Sequence, residues 1–194
     1  MNFSDRAYNT FMIPLEAIRL RSIRKRLIPV SKGKVLEIGA GTGSNFKYYN
    51  PKRVDSLTVM DLNIRDVVRT FSFHTGLDVK FVEGNVTVLP FEDDFFDTVV
   101  FTLLFCSVDD PLKGLAEIRR VLKPGGKLLF MEHVLPDKKP FTAIFNKLNP
   151  AWMKLSKECH INRETLKTIE EAGFNIKKVE THLKGVVICG IAGI

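Results

Sequence analysis

The stretch VLEIGAGTG at residues 35–43 decides the fold. Val35, Leu36 and Ile38 make a short apolar run, and Gly39, Gly41 and Gly43 follow at alternate positions, with Ala40 and Thr42 between them. Glycine lets the backbone turn tightly and approach a ligand with no side chain in between. The pattern predicts a buried strand that ends in a ligand-cradling loop, with a helix from about Ser44. It departs from the fingerprint G-x-G-x-x-G in two places. Ser44 stands where the third glycine belongs, and Glu37 sits two residues before the first.

That carboxylate narrows the ligand. A pyrophosphate prefers a helix N-terminus free of nearby negative charge. A cofactor carrying an ammonium group gains from such a charge, directly or through water, so Glu37 points to S-adenosylmethionine rather than a nicotinamide or flavin nucleotide. Asp61 lies 18 residues after Gly43 and closes the next apolar run. There it can accept both ribose hydroxyls, or simply cap the following segment. Gly84-Asn85-Val86 follows the third run. The Asn85 amide can meet an adenine edge with Val86 packed on the ring, or serve only as a polar turn residue.

Apolar runs recur outward from the glycine loop at Lys34–Ile38, Leu57–Asp61, Val79–Glu83, Thr98–Leu104 and Lys127–Glu132, each followed by a helix-like stretch. Continuous apolar strands alternating with helices imply a parallel sheet covered on both faces. Asp110-Pro111 predicts a capped helix start, Leu115, Ile118 and Leu122 its buried stripe, and Lys123-Pro124-Gly125-Gly126 its stop. A second helix begins after Asn162, turns Leu166 and Ile169 inward and ends at Gly173. The tail predicts two strands, Phe174–His182 and Val186–Ile194, joined by a turn at Lys184-Gly185, hence an antiparallel insertion. Before the first strand, a helix from Pro14 carries the apolar stripe Leu20, Ile23 and Leu27. Arg19, Arg21, Arg24, Lys25 and Arg26 load its remaining surface.

The 194 residues suit one domain, 1–194, with about 1–30 as a helical lid and 31–194 as the core. A charge of +7 either biases encounters toward nucleic acid, anionic lipid or an anionic substrate, or reflects only a basic proteome. Cys106, Cys159 and Cys189 form no CxxC and no paired Cys/His spacing, so neither a disulfide scaffold nor a bound metal is expected. Asp5 and Arg6 interrupt any secretory h-region, and no apolar run reaches the ~20 residues of a membrane span. The expectation is a cytoplasmic protein whose basic N-terminal helix either packs on the domain or touches an anionic membrane.

Four segments together resemble the class I S-adenosylmethionine-dependent methyltransferases: VLEIGAGTG at 35–43, VMDLN at 59–63, GNVTVLPFEDDFFDTVV at 84–100 and RRVLKPGGKLLFMEHV at 119–134. The resemblance implies an α/β Rossmann-like fold with a seven-stranded sheet ordered 3-2-1-4-5-7-6, strand 7 antiparallel. It also implies a cofactor site made by Glu37, Gly39, Ala40, Gly41, Gly43, Asp61, Leu62, Asn85, Val86 and Thr102. Asn85 stands where many members carry Asp.

Methyl transfer to a nucleophile is an in-line displacement on a sulfonium, so alignment and a dry site matter more than a long list of acids and bases. His133, at the carboxyl end of the fifth run, is the general-base candidate; its other reading is a structural histidine bonded to backbone. Cys106 can line the acceptor pocket, but a small buried cysteine is commonly packing, which is the favoured reading. His160, beside Cys159, falls in a segment expected to cap the acceptor, with Phe141, Trp152 and Met153 as roof. His74 and His182 carry no site signal. FCSVDDP at 105–111, MEHV at 131–134, NPAWMKLSKECHINRET at 149–165 and VVICGIAGI at 186–194 are similar to the thiol methyltransferases and the neighbouring lipid and quinone branch. YNTFMIPLE at 8–16 resembles the lid segment of that branch, which implies that Tyr8 covers the cofactor. The expected acceptor is a small apolar or amphipathic molecule: a thiol, a phospholipid amine or a quinone-like phenol. Alternatives are a nucleic-acid methyltransferase, which lacks support from any N/D-P-P-Y-type tetrapeptide after strand 4, and a non-catalytic S-adenosylmethionine-binding protein. A nucleotide-dependent oxidoreductase is disfavoured by Glu37 and Ser44.

Overall fold

The computed structural model describes residues 19–72, 76–136, 142–143, 145–147, 149, 160 and 162–194. Tyr8, His74, Phe141, Trp152, Met153 and Cys159 lie outside them. The strands are β1 Gly33–Ile38, β2 Val54–Asp61, β3 Val79–Glu83, β4 Phe96–Thr102, β5 Leu122–His133, β6 Asn175–His182 and β7 Val187–Gly193. The helices are α1 Arg21–Leu27, α2 Asp66–Ser72, α3 Pro111–Val121 and α4 Thr165–Glu171. One sheet runs β3-β2-β1-β4-β5-β7-β6. The first five strands pair in parallel, and β7 is antiparallel to both neighbours.

Side-chain alternation sorts the sheet into two cores. Leu36, Ile38, Phe101, Leu128 and Phe130 point to the face covered by α3 and α4 through Leu115, Ile118 and Ile169. Val35, Val59, Val100, Leu129 and Met131 point to the other, covered by α1 through Ile23 and Leu27 and by α2 through Val68. Because β1 leads left to β2 and β3 while β4 leads right to β5, the order reverses between β1 and β4. Ligands of such sheets bind beyond the carboxyl ends of the strands at this point. Among the described residues, no helix is long and apolar enough to cross a membrane.

Local chemistry explains the boundaries. Asp110 accepts the Lys113 amide at 3.0 Å and Pro111 opens α3, the expected cap. Three expectations need correcting. No α-helix follows the glycine loop: residues 41–45 turn, and a single 3-10 turn spans Phe46–Tyr48. Asn50-Pro51 lies too close to Gly43 for a helix to propagate, since a residue before proline avoids the α region. Leu122 caps α3 and starts β5, where it pairs with Phe96, instead of closing the helix stripe. Arg24 is not on the surface but 5% exposed, for a reason found in the site.

Candidate active site

Three glycines shape the loop after β1, with φ of 75° at Gly39, 56° at Gly41 and 75° at Gly43. At Gly39 a Cβ would sit 2.8 Å from Leu104 Cδ1, so the loop packs down on the chain leaving β4. Among the described residues, a Cβ at Gly41 would meet nothing within 4 Å. Among those residues the left-handed backbone there leaves room for a ligand. The Gly41 amide donates to Asp61 Oδ2 at 3.1 Å, so the end of β2 latches the loop. Leu62, next along, is 73% exposed.

Glu37 does not face the opening freely. It is 1% exposed, with Oε1 accepting from Asn45 Nδ2 at 2.9 Å and Oε2 from Tyr49 Oη at 2.8 Å. Asn45 Nδ2 also donates to Thr102 Oγ1 at 3.1 Å, and Asn45 Oδ1 accepts from Arg24 Nε at 2.8 Å. One amide thus joins α1, the glycine loop, β1 and β4. This is why Arg24 turns inward: its guanidinium bonds Asn45, and its charge favours the buried Glu37 carboxylate that the same Asn45 holds. Burial pushes the Glu37 carboxyl up to about 7, against the lowering effect of Tyr49, Asn45 and Arg24.

Asn85 is exposed, and its Oδ1 accepts from both the amide and the hydroxyl of Thr87 at 3.0 Å. The polar-turn reading of this residue is present in the structure, and the side chain has Nδ2 left to offer. Val86 is buried in the core. The loop after it is held by Arg120, which donates to Leu89 O at 3.0 Å, to Phe91 O at 2.8 Å and to Asp93 Oδ1 at 2.7 Å.

At the end of β4, Leu103 takes φ 55° and the chain folds into a 3-10 turn, Phe105–Ser107. Glu132, wholly buried, gathers that turn. Its Oε1 accepts the amides of Leu104 at 2.7 Å and Phe105 at 3.0 Å, and its Oε2 that of Cys106 at 3.3 Å. Burial raises its carboxyl to about 7, with the three amides and His133 acting the other way. The sequence reading passed over Glu132; a lone acid in the run LLFMEH was the available signal. His133 follows on the opposite face of β5, the face of Glu37 and Thr102. It is buried, and among the described residues its Nδ1 has no hydrogen-bond partner. The His160 amide donates to Cys106 O at 2.7 Å and Arg163 Nη1 to Phe105 O at 2.9 Å, tying the segment before α4 to the same turn. Cys106 is buried, as packing requires.

The sequence profile of a family described as a methyltransferase domain matches residues 36–130. The chain is 36% identical over 152 residues to a rat thiol S-methyltransferase, TMT1B, covering 75% of this chain and 62% of that protein. It is 34% identical over 177 residues to the ubiquinone/menaquinone biosynthesis C-methyltransferase UbiE of Marinomonas sp., covering 79% and 70%. The chain therefore spans about three fifths to seven tenths of the length of these curated relatives. The crystal structure of an S-adenosylmethionine-dependent methyltransferase from Mesorhizobium loti superposes with a TM-score of 0.68 at 15% identity, covering 89% of this chain and 96% of that one, which establishes the shared fold.

Proposed function

Because the chain belongs to the class I S-adenosylmethionine-dependent methyltransferases, we propose that it methylates a small apolar or amphipathic acceptor, with a thiol first and a quinone-like phenol second. The observation that carries the reading is the Gly41–Asp61 latch beside open space, at the reversal of strand order. The cofactor supplies an electrophilic methyl group on a sulfonium. The residues around the latch fit it. Asp61 keeps Oδ2 on the loop and offers Oδ1 to ribose hydroxyls; Leu62 gives an exposed apolar wall; Asn85 turns Nδ2 to the adenine edge with Val86 beneath. Glu37, held by Asn45 and Tyr49, offers no free ligand atom; its ionised form, which predominates above about pH 7, contributes negative charge under the loop. Thr102, whose Oγ1 accepts from the same Asn45 amide, completes the set at the end of β4. The thiol preference is supported by the relatives with that activity.

His133 takes the proton of the acceptor. The reading is supported by a buried imidazole at the carboxyl end of β5 with one nitrogen unpartnered among the described residues. Replacing His133 with Ala should lower turnover by about 10²- to 10⁴-fold while cofactor affinity stays within twofold or so. Steady-state kinetics from pH 6 to 9 with a small aryl or alkyl thiol would check it, and a normal profile would remove the base role.

Calorimetric titration with S-adenosylmethionine, S-adenosylhomocysteine and NADH tests the cofactor directly. The two adenosyl ligands should bind and NADH should not; NADH alone binding would overturn the reading. Asp61→Ala should weaken both adenosyl ligands by about 10- to 100-fold, through the lost charged acceptor. Unchanged affinity would withdraw the ribose assignment.

A further inference from the structure

We propose that Glu180, His182 and Cys189 form a binding site for one zinc-like transition-metal ion, apart from the cofactor site. Glu180 and His182 are two residues apart on β6 and share a face of that strand. Cys189 on β7 pairs directly with Glu180, and Val187 with His182, so the thiol faces the other two side chains across the ladder. No linear motif reveals this, because two antiparallel strands and a turn bring the donors together.

The distances suit a tetrahedral ion. Cys189 Sγ lies 3.5 Å from His182 Nε2, and His182 Nε2 lies 3.5 Å from Glu180 Oε2. Metal bonds of about 2.3 Å to sulfur and about 2.0–2.2 Å to nitrogen and oxygen give tetrahedral edges of roughly 3.4–3.6 Å. All three donor atoms fall within 4.8 Å of one another, so rotation of the half-exposed Glu180 carboxylate closes the last edge. A cavity of about 120 Å³, bordered by Ile23, Arg26, Leu27, Lys178, Glu180 and Cys189, opens beside the group. One sulfur, one imidazole and one carboxylate select zinc or its neighbours over magnesium or calcium, which demand oxygen ligands. The group is not a catalytic relay. Both the thiol and the carboxylate approach the same imidazole nitrogen, whereas a relay uses the two nitrogens separately.

Two cations already neighbour the carboxylate. Arg26 Nη2 from α1 lies 3.3 Å from Glu180 Oε2, and Lys178 Nζ lies 2.9 Å from Oε1. A metal ion would compete with them, and that competition separates this site from adventitious surface binding.

The test is zinc titration of the chelator-stripped full chain against a chromophoric chelator. One equivalent should bind, His182→Ala and Cys189→Ser should each weaken it on the order of 100-fold, and Arg26→Ala should tighten it several-fold by freeing Oε2. Cobalt in place of zinc should show a thiolate charge-transfer band that Cys189→Ser abolishes. Circular dichroism checks the fold of each variant, and His182→Ala, at the partly exposed end of β6, carries the test if Cys189→Ser unfolds. Failure to bind zinc at micromolar concentration, or binding that His182→Ala leaves unchanged, overturns the proposal.

Discussion

Glu132→Ala is expected to destabilise the protein by on the order of 4 kcal/mol, a fall of roughly 10 °C in melting temperature for a chain of this size. The carboxylate accepts three backbone amides in succession, from Leu104, Phe105 and Cys106. Alanine would strand all three where water has little access, and each stranded donor costs about 1–3 kcal/mol. On the proposed reading of the site the loss should also lower turnover, because this turn continues directly from Thr102 and holds His160 and Arg163 through Cys106 O and Phe105 O. Glu132→Gln keeps one acceptor oxygen but turns an amino group toward the remaining amides, so about half the loss should persist. Thermal unfolding by circular dichroism measures both. A Glu132→Ala variant melting within about 2 °C of the parent would mean that the turn holds itself.

Acid should stabilise the ligand-free chain. Glu37 and Glu132 are both raised by burial from 4.5 to about 7. Below pH 4.5 each is protonated in folded and unfolded chains alike, and its contribution to stability is fully present. Between 4.5 and 7 the unfolded chain releases protons that the folded chain keeps, so stability falls as pH rises, then levels above about 7. At 1.36 kcal/mol per unit, each group accounts for on the order of 3 kcal/mol across that window. Glu117, held below its usual range by the hydrogen bond from Arg120, acts in the opposite sense but only below pH 4.5. Urea unfolding at pH 5, 6, 7 and 8 should therefore give its highest midpoint at pH 5. Glu37→Gln and Glu132→Gln should each flatten the trend by about half. A midpoint that rises with pH would show that neither carboxyl carries its proton in the folded chain.

The sheet was legible because its strands are continuous apolar runs, and each observed strand overlaps the run that announced it. The ends slipped where a tertiary partner decided them. Leu103, expected within β4, leaves the strand with a left-handed φ because the following amides turn to Glu132. The glycine loop and Asp61 were legible through spacing, since loop and strand end are joined by one crossover. Arg24, Asn45 and Glu132 were not. Arg24 meets Asn45 from 21 positions away, and Glu132 meets Leu104 from 28. A basic residue in a basic helix looks solvated until its partner is known, and an asparagine after a glycine loop looks like another turn residue. Periodicity reports which face of an element is apolar, not which polar side chains meet behind it.

The short turn Phe46–Tyr48 also changes what the pocket can tell apart. A full helix there would aim a column of aligned peptide dipoles, positive end first, at whatever lay on the loop. Phosphates would be drawn in, and a sulfonium would be opposed. With one 3-10 turn in its place and a carboxylate underneath, the chain has given up the feature by which most nucleotide folds attract their ligand. Lengthening that turn into a helix would be a route to recruiting a phosphorylated ligand, at the expense of a cationic one.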